Sequence, residues 1–251
     1  METFFNIRYE FDKNCIHNAI AARLLQPGGD YICVADGVIL NNANRNGNYL
    51  NVVNGGMFSI CDSSFVPLYI KWLYKIRHKQ YCGSEIFKDI IVSKKYRMIF
   101  LGANKHILNA LKTQLIQLNP EVAQMKFVEL PFRDVEEFDY RGIAHIINED
   151  KADIIWIALG APKQEFFMAN LKQYLNHGVM IAVGAAFKFY SGLEIKRAPK
   201  WMVRNHLEFI HRIISEPRKQ LKRCGWILLT LPCLLYKEWK IKSERKLLNN
   251  I

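Results

Sequence analysis

The 251 residues are half hydrophobic and carry 35 Lys and Arg against 23 Asp and Glu, a net charge of +12. That much apolar and aromatic side chain excludes a disordered chain, and the length suits one large domain or two small ones. The charge is localised: from Lys196 to Lys246 there are 14 Lys and Arg against 4 Glu and no Asp. Such a block seeks phosphate, whether on a nucleic acid, an anionic membrane or a phosphorylated substrate.

Met1 to Asp12 mixes Glu2, Arg8, Glu10 and Asp12 with apolar residues. It lacks the basic start and unbroken apolar run of a signal peptide. "QPGGD" (26–30) is a turn, "YICVAD" (31–36) a buried strand, and "NGG" (54–56) a second turn. "YRMIFLG" (96–102) is the next strand. Ile107, Leu108, Leu111, Leu115 and Leu118 then repeat at helical spacing before Asn119-Pro120. "MKFVEL" (125–130) and "ADIIWIALG" (152–160) are strands, and Phe167, Leu171 and Leu175 mark a helix that stops before Gly178. "VMIAVGAAF" (179–187) is the last strand. This alternation predicts an α/β fold, a mostly parallel, Rossmann-like sheet with helices on both faces.

The character changes near residues 193–200, which divides the chain into a catalytic α/β domain, 1–195, and a basic helical appendage, 196–251. Val203, Leu207, Ile210 and Ile214 form one apolar helical stripe, and Pro217 ends or kinks that helix. The apolar block Cys224–Tyr236 follows, with basic residues on either side. Its 13 residues fall short of the roughly twenty that a spanning helix needs. The chain is therefore expected in the cytoplasm, peripheral on the inner face of the plasma membrane. Trp226, Ile227, Leu228, Leu229, Leu231, Leu234 and Leu235 would sink into the headgroup boundary. Arg218, Lys219, Lys222, Arg223, Lys237, Lys240 and Lys242 would meet anionic headgroups. The block is poor in base-reading polar residues, which argues against nucleic acid as the partner.

The six cysteines are scattered, without a CxxC pair or a histidine at ligand spacing. They read as small buried apolar residues, not as disulfides or zinc ligands.

Ligands of open α/β sheets bind beyond the carboxyl ends of the strands. Three strand ends carry small residues there: Gly102 with Ala103, Gly160 ahead of Pro162, Lys163, Gln164 and Glu165, and Gly184 with Ala185 and Ala186. Each can be a phosphate-binding turn or a turn made tight for packing. None is a full GxGxxG or Walker loop, which excludes the usual dinucleotide signature. Asp62, within "MFSICDSSFVPLY", is either a helix N-cap assisted by Ser63 and Ser64 or a functional carboxylate. The local sequence favours the cap. Asp36, closing its strand, faces the same choice.

Taken together, "ALGAPKQE" (158–165), "GAAFKFYSG" (184–192), "KRAPKWM" (196–202) and "LEFIHRIISEPRKQLKR" (207–223) resemble the WecG/TagA/CpsF family of bacterial glycosyltransferases. "ICDSSF" followed by "YCGSEIF" (81–87) looks like that family's "PDG" and "GxDL" segments, and the likeness runs from about residue 28 to 240. It implies an inverting, metal-independent transferase of surface polysaccharide biosynthesis, without a cofactor. Such an enzyme moves an N-acetylmannosamine-type sugar from a UDP donor to an undecaprenyl-diphosphate-linked acceptor. A homo-oligomer is compatible with it.

Asp62 then falls on the family's proposed catalytic base, which reverses the local reading. Asp36 falls near the sugar pocket, and Gly160, Lys163, Gln164 and Glu165 fall at the nucleotide side, with Gly102 and Gly184 beside them. Arg197, Arg204, Arg212, Arg218 and Arg223 are candidates for the acceptor's diphosphate. Three positions depart from the family: "VAD" (34–36) replaces "TPN", "CDS" (61–63) replaces "PDG", and Lys188 stands after Phe187 where the family has Asp, so that Lys188 is expected in the nucleotide pocket. An inactive nucleotide-sugar-binding relative is the alternative that Lys188 keeps open.

Overall fold

The computed structural model describes residues 1–193, 214 and 217–248. Its strands are β1 (Glu2–Phe4), β2 (Ile7–Glu10), β3 (Asp30–Ala35), β4 (Phe58–Cys61), β5 (Met98–Gly102), β6 (Lys126–Val128), β7 (Ile154–Ala158) and β8 (Val179–Ala182). They form one sheet in the order β1-β2-β4-β3-β8-β7-β5-β6. β1 runs antiparallel to β2, and every other neighbouring pair is parallel. All seven parallel strands therefore end on one edge.

β5, β8 and nearly all of β3 and β7 are buried. A parallel sheet is covered on both faces, so its strands read as continuous apolar runs. Alternate residues divide between two cores: Tyr31, Cys33, Ile155 and Ile157 point to one layer, Ile32, Val34, Ile154 and Trp156 to the other. The first layer holds α2 (Gly37–Ala43), α3 (Gly47–Asn54), α4 (Val66–Tyr74), α7 (Tyr140–Asp150) and α8 (Lys163–Lys172). The second holds α1 (Lys13–Leu24), α5 (Gly83–Ser93), α6 (Lys105–Leu118) and α9 (Ala186–Ser191).

The five predicted strands and the two predicted helices within residues 1–193 are present, but the strand expected over 179–187 ends at Ala182, and Ala186 and Phe187 open α9. β1, β2 and β4 are additions to that reading. β1 and β2 form a hairpin whose turn residues, Phe5 and Asn6, have φ of 52° and 62°. A two-residue hairpin turn with both residues left-handed usually carries glycine, and here it does not.

The last helix, α10 (Pro217–Leu248), is continuous through Pro232. Pro217 is its first residue, a position where the missing N–H costs nothing. One stripe of α10 docks onto the body. Leu234 is buried, Leu235 joins the first core, and Ile227 reaches so close to α2 that a Cβ on Gly37 would lie 3.1 Å from its Cδ1. Glu238, 2 % exposed, accepts the Phe5 N–H at 2.8 Å and the Tyr74 hydroxyl at 2.7 Å. Lys242 Nζ donates to the Leu73 carbonyl at 2.6 Å.

The opposite face exposes Leu221, Leu228, Leu229, Tyr236 and Trp239. The expectation that the whole apolar block lies on a membrane surface is thus corrected by face. Ile227, Leu234, Leu235 and Lys242 are committed to the body, and the outer stripe is the part left for an interface.

Among the described residues no helix is long and apolar enough to cross a membrane. Cys33, Cys61 and Cys82 are buried as expected, whereas Cys15 and Cys233 are exposed. Of the helix predicted over Val203–Ile214, Ile214 alone is described. Arg197, Arg204 and Arg212 lie outside the described residues, as do the side chains of Arg218 and Arg223.

Candidate active site

Sheet order brings the predicted residues together in a row along the carboxyl edge. Asp62 follows β4, Asp36 follows β3, Gly184 lies just past β8, Gly160 just past β7, and Gly102 ends β5. The ends of β4 and β7 are three strand spacings apart, about 14 Å.

Asp62 is half-buried. Its own N–H bonds to the Ala35 carbonyl at 3.0 Å, which fastens it to the end of β3. Its Oδ1 accepts the N–H of Gly83, the first residue of α5, at 2.8 Å. The carboxylate thus faces the positive end of a helix 21 residues on in the chain, not its own. Ser63, not Asp62, tends the start of α4, with Oγ accepting from Phe65 and Val66 at 3.3 and 3.4 Å. The expectation that Asp62 caps the following helix is overturned in that detail. Gly83 is where three strand ends converge: a Cβ there would lie 2.9 Å from Val34 Cγ1 and 3.9 Å from both Asp62 Oδ1 and Val183 Cα.

Asp36 is an N-cap. Its Oδ1 accepts from Val38 and Ile39, both at 2.9 Å, at the start of α2.

Past β7, Gly160 adopts φ 81° before the cis Ala161-Pro162 peptide. Gln164 Oε1 accepts the Gly160 N–H at 3.0 Å, and its Nε2 donates to Glu165 Oε1 at 2.9 Å. The other Glu165 oxygen accepts the Tyr49 hydroxyl from α3 at 2.9 Å. Glu165 is fully buried, and burial raises its carboxyl from the ordinary 4.5 to about 7, against the hydrogen bonds of Gln164 and Tyr49 that lower it. Burial and the adjoining carboxylate likewise push the Tyr49 hydroxyl up. Glu165 therefore braces Gln164 from beneath. A Cβ on Gly184 would lie 3.6 Å from Gln164 Oε1, so the β7 and β8 loops meet at this amide.

Lys163 points elsewhere: its Nζ donates to the Arg133 carbonyl at 2.5 Å and lies 4.5 Å from the Phe132 ring. Lys188 is exposed in the last turn of α9.

Gly102, φ 107°, has a packing reason of its own, since a Cβ there would sit 2.6 Å from the Ala158 carbonyl oxygen. Asn104 caps the adjacent α6, whose N-terminus opens on the same edge. Two participants were not assigned from sequence. Gly83 stood inside a quoted motif, and its place at a helix start was the available signal. Tyr49 gave none, because its partner is 116 residues away.

The family model for the glycosyl transferase WecG/TagA/CpsF family matches residues 4–247. An N-acetylglucosaminyldiphosphoundecaprenol N-acetyl-beta-D-mannosaminyltransferase of Bacillus spizizenii is 28 % identical over 199 residues, 77 % of this chain and 74 % of that protein. The protein of the same name from Bacillus subtilis is 29 % identical, covering 67 % of this chain and 65 % of its own. The one from Staphylococcus aureus is 25 % identical, covering 86 % and 82 %. A family match over nearly the whole length, on a fold whose strand ends gather that family's motif residues, places this chain: it belongs to the WecG/TagA/CpsF family of glycosyltransferases.

Proposed function

We propose that the protein is an inverting, metal-independent transferase that moves an N-acetylmannosamine-type sugar from UDP to an undecaprenyl-diphosphate-linked sugar, in surface polysaccharide assembly. The observation that carries this reading is the carboxylate of Asp62, fixed by the Gly83 amide beside the ends of β3 and β8. The relatives' names supply the acceptor and the sugar.

In this reading Asp62 takes the proton of the acceptor hydroxyl as that oxygen attacks C1 of the donor sugar. The new C1–O bond forms on the face opposite the nucleotide. The bond from C1 to the β-phosphate oxygen breaks, and UDP leaves with the electron pair. Its developing charge meets backbone N–H groups at the β8 end and the N-terminus of α6, with Arg197 and Arg204 as the candidate cations. The Gln164–Glu165–Tyr49 chain holds the β7 loop in place for the donor.

A lipid-linked acceptor keeps its tail in the bilayer, so the protein must work at the membrane surface. The outer stripe of α10 supports that, with Leu221, Leu228, Leu229, Tyr236 and Trp239 exposed and Lys237 and Lys240 alongside. Incubating the protein with a set of UDP-sugars and a short-chain prenyl-diphosphate-linked N-acetylglucosamine tests the reading. UDP release dependent on both substrates is the expected outcome. UDP release from no donor in the set would refute it.

A further inference from the structure

α4 and the segment that leads into α5 border a half-open cavity of about 570 Å³ that the mechanism above does not use. Lys71, Arg77 and Lys79 line it, with Gln80, Glu85 and Leu68. Among the described residues none of the three cations is paired with a carboxylate. Glu85, the acid in the wall, has Oε2 engaged by the Cys82 N–H at 3.1 Å. His78 also borders the cavity, but its ring stacks on Phe11 at 4.0 Å and its Nε2 lies 3.1 Å from Glu2, so it is held by the hairpin. Three exposed cations around one cavity suit a multiply charged anion.

Its position selects which anion. Ser64 and Cys82 lie in its wall, two residues after Asp62 and one before Gly83. Asp62 itself does not line the cavity, which lies beside the Asp62 segment on the β4 side, away from the β8, β7 and β5 ends where the nucleotide is proposed to lie. Leu68, Trp72 and Ile76 extend from its rim along one side of α4 and its C-terminal end, 42 %, 64 % and 40 % exposed. Lys71 and Lys75 flank them, a pattern that suits an apolar surface bearing anionic headgroups. α10, with its own exposed stripe, is tied to α4 through Glu238 with Tyr74 and Lys242 with Leu73.

We propose that this cavity binds the diphosphate of the lipid-linked acceptor while the Leu68–Trp72–Ile76 stripe rests on the bilayer. The proposal builds on the transferase reading, and its test separates the two. In the full chain, Lys71, Arg77 and Lys79 are replaced together by Ala, and a thermal melt confirms the fold. Binding of inorganic pyrophosphate is measured by calorimetry under saturating UDP, which occupies the donor site. The wild type should bind it and the variant should bind on the order of ten-fold or more weakly, as expected when charged hydrogen bonds are lost. The acceptor KM should rise by a similar factor with the donor KM unchanged.

Absence of pyrophosphate binding in the wild type under UDP, or equal affinity in the variant, overturns the proposal. A rise in donor KM in place of acceptor KM also overturns it, because the cavity would then serve the nucleotide. If the wild type transfers no sugar, pyrophosphate binding still decides whether the cavity is an anion site, and the transferase reading falls by itself.

Discussion

Asp62 Oδ1 and the backbone N–H of Gly83 are 2.8 Å apart, joining the end of β4 to the first turn of α5. The bond aims a carboxylate at the point where β3 and β8 also end. Gly83 matters because a side chain there has no room. Gly83→Ala would press a methyl to 2.9 Å from Val34, a buried branched residue that cannot easily yield. We predict a loss of about 1–3 kcal/mol in stability, the usual cost of overpacking, together with a fall in kcat as Asp62 moves. A melt and a rate measurement check both. A variant with lowered Tm and wild-type kcat would uncouple α5 from the reaction.

Glu165 makes stability depend on pH. Its carboxyl is raised by burial from 4.5 to about 7, so the folded state binds more protons than the unfolded state between those values. Its contribution is therefore favourable at low pH and is lost as pH rises through about 7. The full effect is at most about 3 kcal/mol. Glu165→Gln keeps the shape, accepts from Gln164 through its one carbonyl oxygen and donates to the Tyr49 hydroxyl through its NH2, and it should remove this component. Melts of both proteins from pH 5 to 8 should show the variant gaining on the wild type as pH rises. A constant difference in Tm would show that Glu165 does not titrate there.

Glu238 holds α10 to the body by accepting the Phe5 N–H and the Tyr74 hydroxyl in a buried place. Glu238→Ala removes the acceptor that both donors use, and the buried Phe5 N–H left behind costs about 1–3 kcal/mol. Limited proteolysis should cut within α10 faster in the variant. Equal rates would mean that the apolar stripe alone secures the helix.

The outer stripe of α10 should contribute to membrane attachment. Replacing Leu228, Leu229 and Trp239 by Glu should weaken sedimentation with phosphatidylglycerol vesicles, since each buried apolar side chain contributes about 1.5–3 kcal/mol. The melt should barely change, because all three are exposed. Undiminished vesicle binding would assign attachment to another surface.

The buried strands were legible because a covered parallel sheet needs unbroken apolar runs, and β3, β5, β7 and β8 supply them. β4 was not, being four residues between a Gly-Gly turn and an Asp. The hairpin was hidden by its turn, where Phe5 and Asn6 stand in place of the usual glycine. Gln164 was readable as inward-facing, since it falls in helical register with Met168, Leu171 and Leu175, all buried. Glu238 likewise keeps register with Ile227 and Leu234, so a buried acid could be inferred. Its partners in β1–β2 and α4 could not, because nothing local specifies contacts more than 160 residues apart. For the same reason the motif placed Asp62 at the base position, while the amide that orients it came only from the fold.

The central claim is that Asp62 is the base of the transfer, and the most direct test is the turnover of Asp62→Asn with both substrates saturating. The Asn side chain preserves the acceptor atom for Gly83 but cannot take the proton. Turnover should fall by roughly 10²–10⁴, with the melt and UDP affinity unchanged. Turnover within a few-fold of the wild type would contradict the account and remove Asp62 from the chemistry.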